Sequence, residues 1–264
     1  MIDIHNHMLP AVDDGAKNDD MALSMLKEAV RQGVEHLVLT PHLYEADIIK
    51  GTGEWKAKIE KGKQTVMELV KAHELPLEVT VVAEVRYQDM LPIILDELDI
   101  LIGGKYLLLE FSFHSVPNNL ERIIYEITRK GITPIIAHPE RIKPWQRDPK
   151  RLEELINMGC PTQLDIGSFM GTLGPSSEKL ANFLFDKDAV HLVGSDSHNL
   201  QSRPLYSKPG YDWLSERYGV EYADLLLKEN PGKILRGEHV EVYPVHLEPH
   251  ALSWKEKILK IFKS

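Results

Sequence analysis

Seven short, largely apolar runs recur along the chain, and helical or loop-forming sequence follows each of them. The runs are "MIDIHNH", "HLVLTPH", "LEVTVVAEV", "YLLLEFSF", "ITPIIAHPER", "PTQLDIGS" and "AVHLVGSDSH". Between them, "NDDMALSMLKEAVRQG" reads as an amphipathic helix with Asn18 as N-cap, Met21, Met25 and Ala29 on one face, and Gly33 as its stop. Helical sequence also spans about Glu54 to His73, a short apolar stretch near Leu91, "NNLERIIYEITRKG", "PKRLEELINMG" and "SSEKLANFLFD". Such β-then-α alternation predicts parallel strands joined by right-handed crossovers, either as an open doubly wound sheet or as a closed barrel. No G-x-G-x-x-G follows the first strand and no P-loop occurs, so the nucleotide-binding open sheets lose their usual signature. At 264 residues without a linker, repeat or low-complexity run, the chain fits one α/β domain.

In parallel barrels the chemistry gathers at the C-terminal ends of the strands. Reading those ends in order gives His5 and His7, His42, Glu84, Glu110, His138, and then Asp196 and His198. Asp14 lies in the loop after the first strand, and the sixth strand, ending near "QLDIGS", shows no comparable donor. His5 and His7 are two apart, so a strand points both to the same side. A single histidine at a strand end is more often a hydrogen-bonded structural residue than a ligand. Five histidines and four acids converging on one mouth are another matter, because so many desolvated groups require cations. Imidazole and carboxylate donors without thiolate suit Mn, Fe or Zn, and a set this large implies more than one ion. The other histidines (His36, His73, His114, His191, His239, His246 and His250) read as structural or surface residues, with His114 near a strand end.

Composition removes several alternatives. The net charge of −9 gives no field for nonspecific nucleic-acid binding. Cys160 is the only cysteine and Met1 leads straight into an apolar strand, a pattern expected of the reducing cytoplasm. A thiol phosphatase needs an arginine six positions after its nucleophile, and Ile166 stands there instead. "DKDAV" fits an aspartyl-nucleophile pattern, but that pattern needs a strand before Asp186, where the sequence reads as helix; Asp186 and Asp188 are read as solvated loop residues.

"DIHNHMLPAVDDG", "TPH", "AEVR", "LLLEFSF", "AHPER" and "GSDSHN" together resemble the motif set of the PHP (polymerase and histidinol phosphatase) superfamily. Within it, the chain resembles the bacterial metal-dependent protein tyrosine phosphatases associated with capsule and exopolysaccharide control. The motifs run from Asp3 to Arg203. The resemblance implies a distorted seven-stranded α/β barrel, a single domain over residues 1–250, with up to three divalent ions, Mn foremost. It implies His5, His7, Asp196 and Glu84 on a first ion, Glu84, Glu110 and His138 on a second, and Asp14, His42 and His198 on a third. Asp13 is the neighbouring candidate for the place given to Asp14.

The implied reaction is hydrolysis of phosphotyrosine by a metal-bound hydroxide, with Arg141 and Arg203 contacting the phosphate. A phenolate leaves readily, and the loops carrying "LYEAD", "SFHSVP" and "SFMGTLG" are expected to ring a cleft that admits a long side chain. The implied partners are tyrosine-phosphorylated cytoplasmic proteins such as a bacterial tyrosine kinase. Three other functions share these features: a small-molecule phosphomonoesterase of the histidinol-phosphatase kind, a nuclease-like member of the superfamily, which the lack of a basic groove disfavours, and a module that binds phosphoprotein or metal without turnover. The tail "ALSWKEKILKIFKS", residues 251–264, reads as an amphipathic basic helix that either packs on the domain or docks on a membrane surface or kinase.

Overall fold

The structure, a computed structural model, describes residues 1–95 and 98–248. Among them are nine strands: β1 (Ile2–Asn6), β2 (His36–Leu39), β3 (His42–Leu43), β4 (Glu78–Val81), β5 (Glu84–Arg86), β6 (Tyr106–Glu110), β7 (Thr133–Ala137), β8 (Thr162–Asp165) and β9 (Leu192–Gly194). Two expected strands are each divided. Pro41 has no N–H to give a ladder, so "HLVLTPH" becomes β2 and β3, and "LEVTVVAEV" bends in step with it into β4 and β5. The bend keeps its bonds, with Val82 N–H donating to the Leu39 carbonyl (3.0 Å) and Glu84 N–H to that of Pro41 (3.1 Å).

Every ladder is parallel. The ladders form a three-stranded sheet, β1-β2-β4, and a six-stranded sheet, β3-β5-β6-β7-β8-β9, rather than one unbroken ring of seven. Just past β9 the chain returns to β1, where Asp196 N–H donates to the His5 carbonyl (2.8 Å) and His7 N–H to that of Ser197 (2.9 Å). The buried Asp3 carboxylate adds a tie by accepting from both the N–H (3.0 Å) and the hydroxyl (2.6 Å) of Ser195.

One apolar cluster draws on most strands: Ile4, Val38, Val82, Leu108, Ile135 and Leu192. Each precedes by one to four residues an expected donor on the same stretch, so this layer forms the floor of the polar mouth. In β1 the two cannot coexist in a regular strand, because Ile4 and His5 alternate. The pairing resolves this: Asp3 registers with Leu37 but Asn6 with Leu39, so β1 carries one extra residue between these pairs. Such a bulge re-aims side chains. It lets Ile4 join the floor while His5 and His7 reach the mouth.

Helices cover the outside. Asp19–Arg31 starts where Asn18 accepts the Met21 N–H (3.0 Å), a cap worth about 1 kcal/mol. It buries Ala22, Met25, Leu26 and Ala29 against Leu37 and Leu39. Gly53–Ala72 packs beside it, and Leu120–Thr128, Lys150–Asn157 and Pro175–Asp186 fill the expected crossovers. Beyond residue 200 the chain forms Ser207–Tyr218, Val220–Asp224 and Asn230–Leu235, then runs without regular structure to residue 248. That last stretch is pinned where the Tyr106 hydroxyl donates to the Glu238 carbonyl (2.6 Å) and accepts from Val240 N–H (3.1 Å). The tail at 251–264 lies outside the described residues, and among the described ones no helix is long and apolar enough to cross a membrane.

The loop after β1 doubles back on its own strand, Ala16 N–H donating to the His7 carbonyl (3.0 Å), and this return carries Asp13 and Asp14 over the mouth. Gly15 permits it: a methyl group there would lie 2.0 Å from the His7 carbonyl oxygen. Gly15→Ala is therefore expected to destabilise the fold by roughly 1–3 kcal/mol, as overpacked sites do. Urea denaturation measures this; an unchanged midpoint and slope would show that the loop has room to spare.

Candidate metal centre

The strand ends deliver the donors in chain order. β1 supplies His5 and His7 follows it, β3 opens on His42, β5 opens on Glu84, β6 closes on Glu110, His138 follows β7, and Asp196 and His198 follow β9. All nine expected donors meet, in four overlapping groups: His7, Asp14, His42 and His198; His5, His7 and Asp196; His5, Glu84 and His138; and His42, Glu84 and Glu110. Within each group the ligating atoms lie within 4.8 Å of one another.

Apart from His138 Nε2 with Glu84 Oε1 (2.8 Å), these groups leave one another largely unsatisfied. His5 Nε2, His7 Nε2, His42 Nδ1, Glu84 Oε2, Glu110 Oε2, His138 Nδ1 and His198 Nε2 are buried without a hydrogen-bond partner. Unpaired polar atoms in a low dielectric are costly, and so many together require a ligand. The tautomers agree. His5 Nδ1–H donates to Gln163 Oε1 (2.7 Å), His7 Nδ1–H to Asp13 Oδ2 (2.7 Å) and His198 Nδ1–H to the Asp196 carbonyl (2.9 Å). Each ring therefore turns Nε2 into the mouth, the arrangement of metal-ligating histidines. Ligand atoms about 2.0–2.2 Å from a common ion stand roughly 3–4 Å apart. The spacings here match: Asp196 Oδ1 lies 3.5 Å from His5 Nε2 and 3.2 Å from His7 Nε2, and Glu84 Oε2 lies 3.3 and 3.4 Å from the same atoms. The residues fit a cluster of divalent cations.

Asp13 and Asp14 divide their work. Asp13 is spent on the protein, accepting from His7 and from the backbone N–H of Gly15 (2.9 Å) and His42 (3.1 Å). Asp14 faces His42 Nε2 (3.5 Å) and His198 Nε2 (3.3 Å). Two of the donors sit in strained backbone: His138 has φ of 32° and Asp196 of 46°, values uncommon outside glycine and concentrated at functional sites.

The electrostatics of the protein alone are conflicted. Burial disfavours a charged His5, but Glu84 and Asp196 outweigh it and hold the imidazole at about 9. His7 is likewise buried yet raised well above its ordinary value by Asp13, Asp196 and Glu84. Burial pushes His138 down to about 4. Glu110 is pushed up to about 7 by burial and by the neighbouring Glu84. Neighbours of one kind are thus driven in opposite directions, which is the state of a site whose positive charge comes from elsewhere.

Both expected arginines reach the cluster. Arg141 leaves the turn Pro139–Arg141 and places Nη1 2.5 Å from Asp196 Oδ2 and 3.3 Å from Asp165 Oδ2. Arg203 comes back to the same Asp196 oxygen because the Asn199 side chain accepts the N–H groups of Gln201, Ser202 and Arg203 and curls the loop. The decoys stay out. Cys160 is buried, its thiol pushed up to about 12 by that burial. Asp186 ends a helix, Asp188 is exposed in the following loop, and His114 pairs with Lys143 at the surface.

Sequence reasoning missed the layer behind the donors. Gln163 fixes His5, Asp165 engages Arg141, and the buried Glu140 accepts the Asp165 N–H (3.1 Å). Gln163 and Asp165 stand two apart on β8, so the alternation that singles out His5 and His7 marks them too.

Residues 1–236 match the family model described as "Capsular polysaccharide synthesis, CpsB/CapC". The tyrosine-protein phosphatase CpsB of Streptococcus pneumoniae is 37% identical over 244 residues, 89% of this chain and 98% of that protein. The tyrosine-protein phosphatase YwqE of Bacillus subtilis (strain 168) is 33% identical over 243 residues, 91% of this chain and 93% of that protein. A crystal structure from a study of YwqE from Bacillus subtilis and CpsB from Streptococcus pneumoniae, "unique metal-dependent tyrosine phosphatases", superposes with a TM-score of 0.85 at 29% identity, covering 95% of this chain and 100% of that one. An organophosphorus hydrolase from Deinococcus radiodurans shares the fold, with a TM-score of 0.54 at 12% identity over 89% of this chain and 92% of that one.

His5 and His7 hold protons in the metal-free chain that a metal ion must displace. Loading the chelated protein with Mn at pH 7 is expected to release protons, and affinity is expected to rise as the pH is raised toward about 9. Calorimetry in buffers of different ionisation enthalpy measures the release; heats independent of buffer would contradict it.

Proposed function

The chain belongs to the CpsB/CapC family of capsular polysaccharide synthesis, and on that premise we propose that it is a metal-dependent protein tyrosine phosphatase. The observation that carries the reading is the set of buried, unpartnered nitrogen and oxygen atoms turned into one mouth beside two arginines. The proposed ligands are His5, His7, Asp196 and Glu84 for a first ion, Glu84, Glu110 and His138 for a second, and Asp14, His42 and His198 for a third, with Mn as the proposed metal. Imidazole and carboxylate donors without sulfur support that choice. Counting β2/β3 and β4/β5 as single bent strands supports a distorted seven-stranded barrel, forming one domain.

Divalent ions bound there supply Lewis acidity, acidifying water and drawing charge from phosphoryl oxygens. The chain does the rest. Gln163, Asp13 and the Asp196 carbonyl hold three imidazoles in the ligating tautomer. Asp196 uses one oxygen toward His5 and His7 and the other toward Arg141 and Arg203, so the guanidinium forks stand beside the donors. Their remaining N–H groups are assigned to the equatorial oxygens of the phosphate, where charge develops. The phenolate departs without strong acid help. The proposed substrates are tyrosine-phosphorylated cytoplasmic proteins, such as a bacterial tyrosine kinase acting in exopolysaccharide synthesis, and not nucleic acids.

Turnover of a phosphotyrosyl peptide, a phosphoseryl peptide, histidinol phosphate and a phosphodiester, with Mn restored after chelation, separates the readings. The phosphotyrosyl peptide is expected to lead in kcat/KM; equal or faster turnover of histidinol phosphate would make the protein a small-molecule phosphomonoesterase. Arg141→Ala and Arg203→Ala are each expected to retain metal and lose about 2–4 kcal/mol of transition-state stabilisation. Wild-type kinetics in both would reduce these residues to ion pairs of Asp196.

A further inference from the structure

Of the three loops expected around the mouth, each carries an aromatic residue, and the metal and phosphate chemistry uses none of them. Phe169 is unavailable, being buried against Phe185 and Trp213. The other two turn toward the donors. Tyr44, just past β3, stacks on the His42 imidazole with centroids 4.8 Å apart and planes at 29°, and is 39% exposed. Phe113, just past β6 and half-buried, lies with its ring 5.5 Å from that of His138 and 4.6 Å from the Arg141 guanidinium.

The strand order β3-β5-β6-β7 sets the stacked pair Tyr44–His42 on one flank and Phe113 with His138 on the other, with Glu84 of β5 and Glu110 of β6 between. Neither aromatic residue sits on a loose backbone. Tyr44 N–H donates to Asp47 Oδ2 (3.2 Å) and its carbonyl accepts from Asp47 N–H (3.0 Å), while the Phe113 carbonyl accepts from Lys143 N–H (2.9 Å). Two ring faces are thus held in place at the edges of the centre that is to take the phosphate.

We propose that Tyr44 and Phe113 are the specificity residues of this site, forming an aryl subsite that holds the phenyl ring of phosphotyrosine while Arg141 and Arg203 hold its phosphate. The inference rests on the phosphatase reading above. A phosphate at the arginines carries its ester oxygen outward between the two flanks. In phosphotyrosine a ring follows that oxygen and can stack on aromatic faces; in phosphoserine a methylene follows and cannot. Each ring contact is then worth a factor of about two to ten in favour of the aryl ester. Phe113 packed under Arg141 also places one edge of the subsite next to the phosphate, as the short distance from phosphorus to ring demands.

The test uses the Mn-loaded protein and two readouts. kcat/KM is measured with peptides differing only in phosphotyrosine or phosphoserine, and calorimetry gives the affinities of phenylphosphonate and methylphosphonate. Wild type is expected to prefer the aryl member of each pair. Tyr44→Leu and Phe113→Leu, with metal content and melting temperature checked, are expected each to shrink both preferences by about two- to tenfold. Tyr44→Phe and Phe113→Tyr are expected to keep them. Equal losses on both substrates would mean that the rings act through His42 or Arg141, and would overturn the inference, as would unchanged preferences in the leucine variants. A wild type that does not favour the phosphotyrosyl peptide would instead overturn the phosphatase reading itself, before any substitution is considered.

Discussion

The Glu84 carboxylate is wholly buried and touches four imidazoles: His5 at 3.3 Å, His7 at 3.4 Å, His42 at 3.0 Å and His138 at 2.8 Å. A charge taken out of water in this way needs compensation from every side, and those four rings come from three separate parts of the chain. Much of the fold serves their meeting. Glu84 is the first residue of β5, set by its own N–H to the Pro41 carbonyl, and Pro41 is also what separates β2 from β3 and lets His42 begin a new strand beside it. The same bend that divides the sheet thereby lines up His42 with Glu84 as direct neighbours in register.

Asp196 is the second junction, and it connects different kinds of chemistry. One oxygen faces His5 and His7, while the other is shared by Arg141 and Arg203. Whatever fixes this carboxylate therefore fixes the distance between cation-binding and phosphate-binding groups. Its backbone is held at φ of 46° by the bond from its N–H to the His5 carbonyl, so the strain is maintained by β1, the strand that carries His5 and leads into His7. Gly194, two residues earlier, has no side chain because a methyl group there would lie 2.8 Å from His5 Cβ.

Much of this was legible in the sequence, for identifiable reasons. Strand-end donors stand out because histidine and acid residues are conspicuous beside apolar runs, and all nine fall in the cluster. The Asn18 cap and the helices from Asp19 to Asp186 follow from periodicity and capping chemistry. The strand breaks were less visible, since Pro41 signals an interruption but nothing local signals that Val82 and Ala83 bend in step. Gln163 and Asp165 have the same i, i+2 spacing as His5 and His7, but an amide beside an acid does not read as a ligand pair; their meaning comes from His5 and Arg141, far away in the chain. The helix Ser207–Tyr218 holds Pro209 and Gly210 in its first turn, which masks its period.

The extra residue in β1 makes the metal centre a matter of phase. Below it the strand shows apolar residues to the interior, above it imidazoles, and the switch between the two depends on counting and not on the identity of any one side chain. With Asp3 opposite Leu37 and Asn6 opposite Leu39, a strand without the extra residue would have room for one inward side chain beside Val38, either Ile4 for the floor or His5 for the mouth, but not both. One residue of surplus length is thus what lets the apolar floor and the donor pair share a strand, and the spacing inside "DIHNH" carries as much of the function as its histidines do.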